Sequence, residues 1–289
     1  MFKLRLWVFI LVGVIVAFGA CYIYVYLDLS PAKQLPEYQI RAQHDDTLRV
    51  VMIGDSWAML HNKLNRDSVL QSLLQFKLDI PIRVRSRGVG GANSKEIYYY
   101  MFASKTTESE YEPDKCTQPL LEESPHYCLI SAGINDAGQG KGADFFCKNY
   151  MKILRLLLHN NIKPVVLELP TVILDNKVDM VFEDFFNENR FFAWYRLKKR
   201  MGFKVTAMLN DADMDHVDEC RERLRQMLDE TGLIDSVIFI PTEDWNKDGY
   251  KDSRGIYLDD GTHLNQTGYD VLDSCYAAVI SKDYLRSVK

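Results

Sequence analysis

From Leu48 to Pro241 the chain alternates between short apolar runs and longer stretches with helical spacing. That alternation limits the fold more than any other feature. "LRVVMIG" is followed by "SVLQSLLQFKL", "IRVRSRGVG" by "NSKEIYYYMFAS", and "HYCLISAGI" by "GADFFCKNYMKILRLLLHNN". "KPVVLELP" and "DSVIFIP" come later, and "TGYDVLDSCYAAVISKDYL" forms the last helical pattern. Continuous β-branched runs of this length suit strands covered on both faces. Strand and helix in turn imply a parallel sheet with right-handed crossovers. The expectation is a doubly wound α/β sandwich whose ligands bind beyond the carboxyl ends of its strands.

The chain has 289 residues, 47% of them apolar, which is enough for the core of one α/β domain of this size. Its formal net charge is −5, with no long basic run, so nucleic acid is not an expected partner.

The N-terminus reads differently. Leu6 to Leu27 is almost free of charge, and its length matches a helix crossing a bilayer core. Lys3 and Arg5 precede it and Asp28 follows it. By the positive-inside rule, residues 1–5 stay cytoplasmic and the remainder lies outside. A cleaved signal peptide is the competing reading; its apolar region would be shorter and end at small residues, and "AFGAC" matches that ending poorly. Residues 6–27 are therefore expected to be a transmembrane anchor, 28–47 a Pro-containing linker, and 48–289 the functional domain. Within that domain Thr171 to Thr231 is too long for one crossover; it is read as two or more helices, partly a lid or wall. By spacing alone, simple core packing of its aromatics is the favoured reading.

Cysteine spacing matches no zinc pattern. Cys116 and Cys128 are a local candidate pair, but buried unpaired thiols are the preferred reading.

Four short motifs fall at strand ends or just before the last helix. Gly54-Asp55-Ser56 permits a sharp turn into a helix start with free backbone N–H groups. Taken alone, it reads as a helix cap by Asp55 or Ser56. "SRGVGGANS" offers glycines for close backbone approach. "SAGINDA" offers the Asn135 amide as a donor, with Asp136 able to cap the next helix. "YLDDGTHLNQTGY" sets Asp260 three residues before His263, so the carboxylate can orient the ring and leave Nε2 as a base. Together they supply a hydroxyl, a base, an orienting carboxylate and oxyanion donors, all converging on one sheet edge.

These blocks resemble those of the SGNH hydrolases, the GDSL-type lipases and esterases. The first is Gly54-Asp55-Ser56-Trp57, with tryptophan where leucine is common. The second is "GVGGANS", where Gly91 is the best match to the oxyanion glycine and Gly90 the neighbouring alternative. The third is Gly133-Ile134-Asn135-Asp136, and the last is Asp260-Gly261-Thr262-His263-Leu264-Asn265, with leucine in place of proline. The resemblance spans about Leu48 to Leu285. It implies a three-layer α/β/α sandwich with a five-stranded, flavodoxin-like parallel sheet. It also implies Ser56 as nucleophile, His263 as base and Asp260 as the orienting carboxylate, with Asp259 a nearby alternative. The oxyanion hole would be the N–H groups of Ser56 and Gly91 with the Asn135 side chain. No cofactor is implied.

"DWNKDGYKDSRG" places Asp244, Asn246, Asp248, Gly249 and Asp252 at the positions of a calcium loop. Gly255 stands where the bidentate Glu belongs, so this is a weak metal candidate, and a polar loop walling the site is the alternative. The resulting expectation is a membrane-anchored serine esterase that removes O-acyl groups, acetyl foremost, from a carbohydrate or cell-envelope glycan. O-acyl transfer by the same triad, lipid ester hydrolysis, and a non-catalytic anchored binding module are the alternatives.

Overall fold

β1 (Leu48–Gly54) is buried at all of its 7 positions, as a continuous apolar run in a central strand requires. β2 (Ile82–Gly88) alternates buried and exposed residues instead, and it is the edge strand. The computed structural model describes residues 2–35, 40, 46–102, 115–174, 190–246 and 253–288. β3 (Tyr127–Ser131), β4 (Lys163–Leu167) and β5 (Ile238–Ile240) complete a five-stranded sheet in the order β2-β1-β3-β4-β5. Every neighbouring pair is parallel. All five strands sit on the runs read from the sequence, in the flavodoxin-like order.

That order reverses direction between β1 and β3, and the crevice there is where such sheets bind ligands. α2 (Ser56–Lys63) leaves the end of β1, and α6 (Ile134–Gly138) follows β3. On one side α3 (Arg66–Leu78) packs on α10 (Gln266–Ser287). Elsewhere α7 (Ala143–His159) packs against α4 (Ser94–Tyr100) and α9 (Asp218–Glu230). α5 (Gln118–Glu122) precedes β3.

A buried ionic cluster ties α2, α3 and α10 together. The His61 ring meets Asp67 Oδ1 at 2.8 Å and Asp273 Oδ1 at 2.9 Å. Arg66 donates to Asp273 Oδ2 at 2.6 Å and to Asp270 at 2.7 Å. Burial opposes a charged imidazole, but hydrogen bonds and charge from Asp273 and Asp67 outweigh it and raise the His61 pKa.

The chain divides into two units, Met1–Pro31 and Ala32–Lys289. The first holds α1 (Phe2–Leu29), which from Trp7 to Leu29 is long and apolar enough to cross a membrane. The second contains every residue of the hydrophobic core, from Ala32 to Ile280, and so carries what it needs to fold alone. Its first residues lie against it. Asn149 Oδ1 accepts from Ala32 N at 2.7 Å, and the Tyr99 hydroxyl accepts from Lys33 N at 3.0 Å.

The stretch read as two or more helices contains α8 (Arg190–Asn210) and α9; residues 175–189 lie outside the described residues. All six cysteines are free thiols, Cys116 and Cys128 among them.

Candidate active site

The turn after β1 is specified by contact. Gly54 has φ +147°, and a Cβ there would stand 2.0 Å from the Ser131 carbonyl oxygen on β3. Only glycine fits, and the chain then breaks directly into α2. Asp55 is the N-cap of that helix: its Oδ1 accepts from Trp57 N at 3.0 Å and from the Ser131 hydroxyl. The capping role belongs to Asp55, which leaves the Ser56 hydroxyl available on the first helical residue, half-buried at the crevice.

His263 Nε2 lies 2.9 Å from Ser56 Oγ, and His263 Nδ1 lies 2.6 Å from Asp260 Oδ2. Asp260 Oδ1 also accepts from the backbone N–H of Thr262 and of His263, both at 2.9 Å. Burial of Asp260 works against ionisation, but those two N–H groups and the His263 ring hold its carboxyl below the usual range. The three side chains therefore form one directional chain, carboxylate to imidazole to hydroxyl. Such a chain can move the Ser56 proton onto Nε2 while Asp260 fixes the tautomer.

The histidine turn is fixed from two sides. The indole N–H of Trp57 donates to the Thr262 carbonyl at 3.1 Å, and the Thr262 hydroxyl donates to the Ile173 carbonyl. Trp57 is 1% exposed and meets Trp245 edge-on at 6.0 Å between ring centroids. It thus sits behind the site, holding the loop, and does not line it.

The donor side comes from the β2 and β3 ends. Gly91 has φ +78° and is exposed, whereas Gly90 does not take a positive φ. Asn135 Nδ2 donates to the Ala92 carbonyl at 3.0 Å and to Asp55 Oδ2 at 3.5 Å, which fixes the amide beside the start of α2.

Several residues that shape this side were not singled out in the sequence. Gln139 Nε2 donates to the Gly91 carbonyl at 2.8 Å, and its Oε1 accepts from Asn93 Nδ2 at 3.0 Å. Asn93 forms a capping box with Glu96 at the start of α4. That pairing, a short polar residue followed three places on by Glu, is a readable sequence signal. Asp136 does not cap its own helix. Its carboxylate accepts from Ser94 N at 3.0 Å and from Ser94 Oγ at 2.5 Å, linking α6 to the start of α4.

Two carboxyls behind the site are fully buried. Burial raises Asp55 to about 6 and Asp136 to about 7, against the lowering effect of their hydrogen bonds.

Of the calcium-loop residues, Asp244 closes a short 3-10 turn and Asn246 donates its amide to the Tyr257 hydroxyl at 3.1 Å. Asp248, Gly249 and Asp252 lie outside the described residues. Among the described residues no cluster of three His, Cys, Asp or Glu side chains could hold a metal ion.

The GDSL-like Lipase/Acylhydrolase family matches residues 52–271. Among solved structures, a GDSL-like lipase from Bacteroides thetaiotaomicron is similar, with 15% identity and a TM-score of 0.47, covering 81% of this chain and 88% of its own. A lipolytic protein of the G-D-S-L family from Desulfitobacterium hafniense has 15% identity and a TM-score of 0.49, covering 80% and 98%. An acetyl xylan esterase has 18% identity and a TM-score of 0.41, covering 82% and 99%. No curated protein matches.

Proposed function

The chain belongs to the GDSL-like lipase/acylhydrolase family and is an ester hydrolase, and from that premise we propose that it removes O-acyl groups, acetyl foremost, from a carbohydrate of the cell envelope through an acyl-enzyme on Ser56. The observation that carries the chemistry is the unbroken contact chain from Asp260 through His263 to Ser56 Oγ. His263 takes the Ser56 proton as Oγ attacks the ester carbonyl. The negative oxygen of the tetrahedral intermediate is met by the N–H groups of Ser56 and Gly91 and by the Asn135 amide. The imidazolium then protonates the leaving alcohol, and water repeats the sequence in reverse to release the acid.

The substrate class is supported by topology. Lys3 and Arg5 precede the apolar run. In this reading residues 6–27 anchor the chain, residues 1–5 remain cytoplasmic, and the domain from residue 48 faces the envelope. No cofactor has a part in the reaction.

The test is acetate release from acetylated polysaccharides by the Ala32–Lys289 unit beside its Ser56→Ala variant. Ser56-dependent release supports the proposal. Preference for long-chain esters would replace the glycan with a lipid. Acyl groups appearing on an added glycan in place of free acid would make the reaction a transfer. An absence both of turnover and of labelling by a serine-reactive phosphonate would leave a binding module.

A further inference from the structure

In a chain of net charge −5, the 21 residues of α8 contain six Lys and Arg and no acidic residue. Its C-terminal half is seated on the domain. Ala207 faces Gly140 so closely that a Cβ on that glycine would stand 2.5 Å from the alanine Cβ, and Asn210 Nδ2 donates to the Lys141 carbonyl at 2.5 Å. Leu197, Thr206 and Ala207 are buried.

The other face is apolar and open to solvent. Trp194 is 59% exposed, Met201 54% and Met208 80%. These three recur at seven-residue intervals and so share one stripe, with half-buried Val205 between them. Tyr195 and Leu209 widen it, and both are exposed. Lys198 lies within the stripe and Lys204 flanks it, both exposed, whereas Lys199 is on the opposite side with its Nζ over the Phe203 ring. Stranded in water, such a stripe is an unfavourable surface for a soluble domain. An aromatic and methionine stripe bordered by lysines is the pattern of a helix lying in the plane of a membrane interface.

We infer that α8 docks on the surface of a bilayer containing anionic lipid, with Trp194, Met201 and Met208 entering the acyl boundary and Lys198 and Lys204 meeting the headgroups. The charge decides the occupant. A helix with no acidic residue on a net-negative chain is attracted to an anionic surface, while the rest of the domain is repelled by it. The contact is independent of the ester chemistry and is additional to the apolar N-terminal helix.

The test uses the Ala32–Lys289 unit, which lacks the apolar helix and holds its own core. Its tryptophans are Trp57 and Trp245, both buried, and exposed Trp194, so a change in emission on lipid reports Trp194. Vesicles of phosphatidylcholine with phosphatidylglycerol should co-sediment the protein at low salt and blue-shift its emission; phosphatidylcholine alone should do neither. Each lysine neutralised should weaken binding about fivefold. Lys198→Glu with Lys204→Glu should therefore weaken it by at least about twentyfold, with circular dichroism and hydrolysis of a small soluble ester unchanged. Three results would each overturn the inference: no co-sedimentation with anionic vesicles; binding to dextran sulfate but not to vesicles; or emission already blue-shifted without lipid in a dimeric protein.

Discussion

His263 Nε2 lies 2.9 Å from Ser56 Oγ although 207 residues separate them in the chain. The contact exists because β1 delivers Ser56 to the point where the strand order reverses, and the turn before α10 brings His263 back over it. Asp260 reaches Ser56 only through the ring. Replacing Asp260 with Asn removes the acceptor that fixes the tautomer. The Asp260 side chain is 49% exposed, so water partly replaces it, and kcat should fall by about 10²–10⁴-fold, the upper figure being that of a buried counterpart. Asp259→Asn, one residue away, should change kcat by less than about threefold, within the scatter of an ordinary surface substitution. Steady-state hydrolysis of p-nitrophenyl acetate by both variants checks this; equal losses would remove Asp260 from its assigned place.

Trp57 fixes the histidine turn through one hydrogen bond to the Thr262 carbonyl. Trp57→Phe keeps an aromatic ring in the core and deletes that donor. A lost hydrogen bond of this kind costs about 1 kcal/mol of stability. The larger consequence is for geometry, since His263 follows Thr262 directly. The variant should lose about tenfold in kcat with KM nearly unchanged, because misplacement of a reacting group acts on the transition state. A rise in KM at constant kcat would show that Trp57 shapes a binding pocket instead.

Most of the sheet was legible because its central strands are apolar at consecutive positions. β1, β3 and most of β4 are buried throughout, and such runs announce central strands directly. The turns that carry Ser56, Asn135 and His263 were legible as turns because each holds its glycine and polar residues within a few positions. Partnerships across the chain were not. Nothing near Asp136 shows that its carboxylate serves Ser94, 42 residues earlier, and nothing near His61 points to Asp273, 212 residues later. Local spacing reports on local backbone; it carries no signal for which distant element the topology places alongside. Trp57 shows the same limit. Its place beside Ser56 does not announce this role, and only the return of the Thr262 turn reveals its indole N–H as a tether.

Two glycines of the site should respond to alanine in opposite ways. At Gly54 the added Cβ would strike the Ser131 carbonyl at 2.0 Å, in backbone of φ +147°. Gly54→Ala should cost more than about 4 kcal/mol and yield little folded protein. At Gly91 the added Cβ would meet nothing within 4 Å, and the cost is only that of φ +78°. That strain is about 1–2 kcal/mol, so Gly91→Ala should fold. Its kcat should fall by at most the 10²–10³-fold loss of a whole oxyanion donor, and by about tenfold if the peptide only tilts. Thermal unfolding and initial rates on the two proteins separate the cases.

Asp136 should make stability depend on pH. Burial lifts its folded pKa to about 7, from an ordinary value of 3.8. The folded state therefore binds this proton more tightly than the unfolded state does. The resulting stability is full below about pH 4 and is lost as pH rises through about 7. Asp136→Asn removes the titration while keeping an acceptor for Ser94. Urea unfolding from pH 4 to 8 should show the wild type losing stability relative to the variant, by a few kcal/mol at most at about 1.36 kcal/mol per pKa unit. Asp55, raised to about 6, should leave a smaller slope ending near pH 6 in the variant. Parallel curves for the two proteins would show that Asp136 is ionised throughout.

The most damaging conservative substitution away from the site should be at Asp273. Its Oδ2 accepts two bonds from Arg66, at 2.9 and 2.6 Å, and its Oδ1 meets His61 at 2.9 Å. Asp273 and the His61 side chain are 0% exposed and Arg66 is 1% exposed. Asp273→Asn removes the negative charge and leaves a guanidinium in the interior with only Asp270, whose side chain is 58% exposed, as its remaining carboxylate. Breaking one side of a buried pair in this way costs about 3–5 kcal/mol. The cost should depend on pH. In the wild type His61 is raised above 6.5, so its contribution is full below that value and fades as pH rises through the folded pKa. Without Asp273 the imidazole loses the larger of its two partners and should titrate lower, so the difference in unfolding free energy between wild type and variant should be greatest in mild acid. Denaturant melts at pH 5.5 and 8.5 measure it, and a difference independent of pH would mean that His61 is neutral in the folded protein.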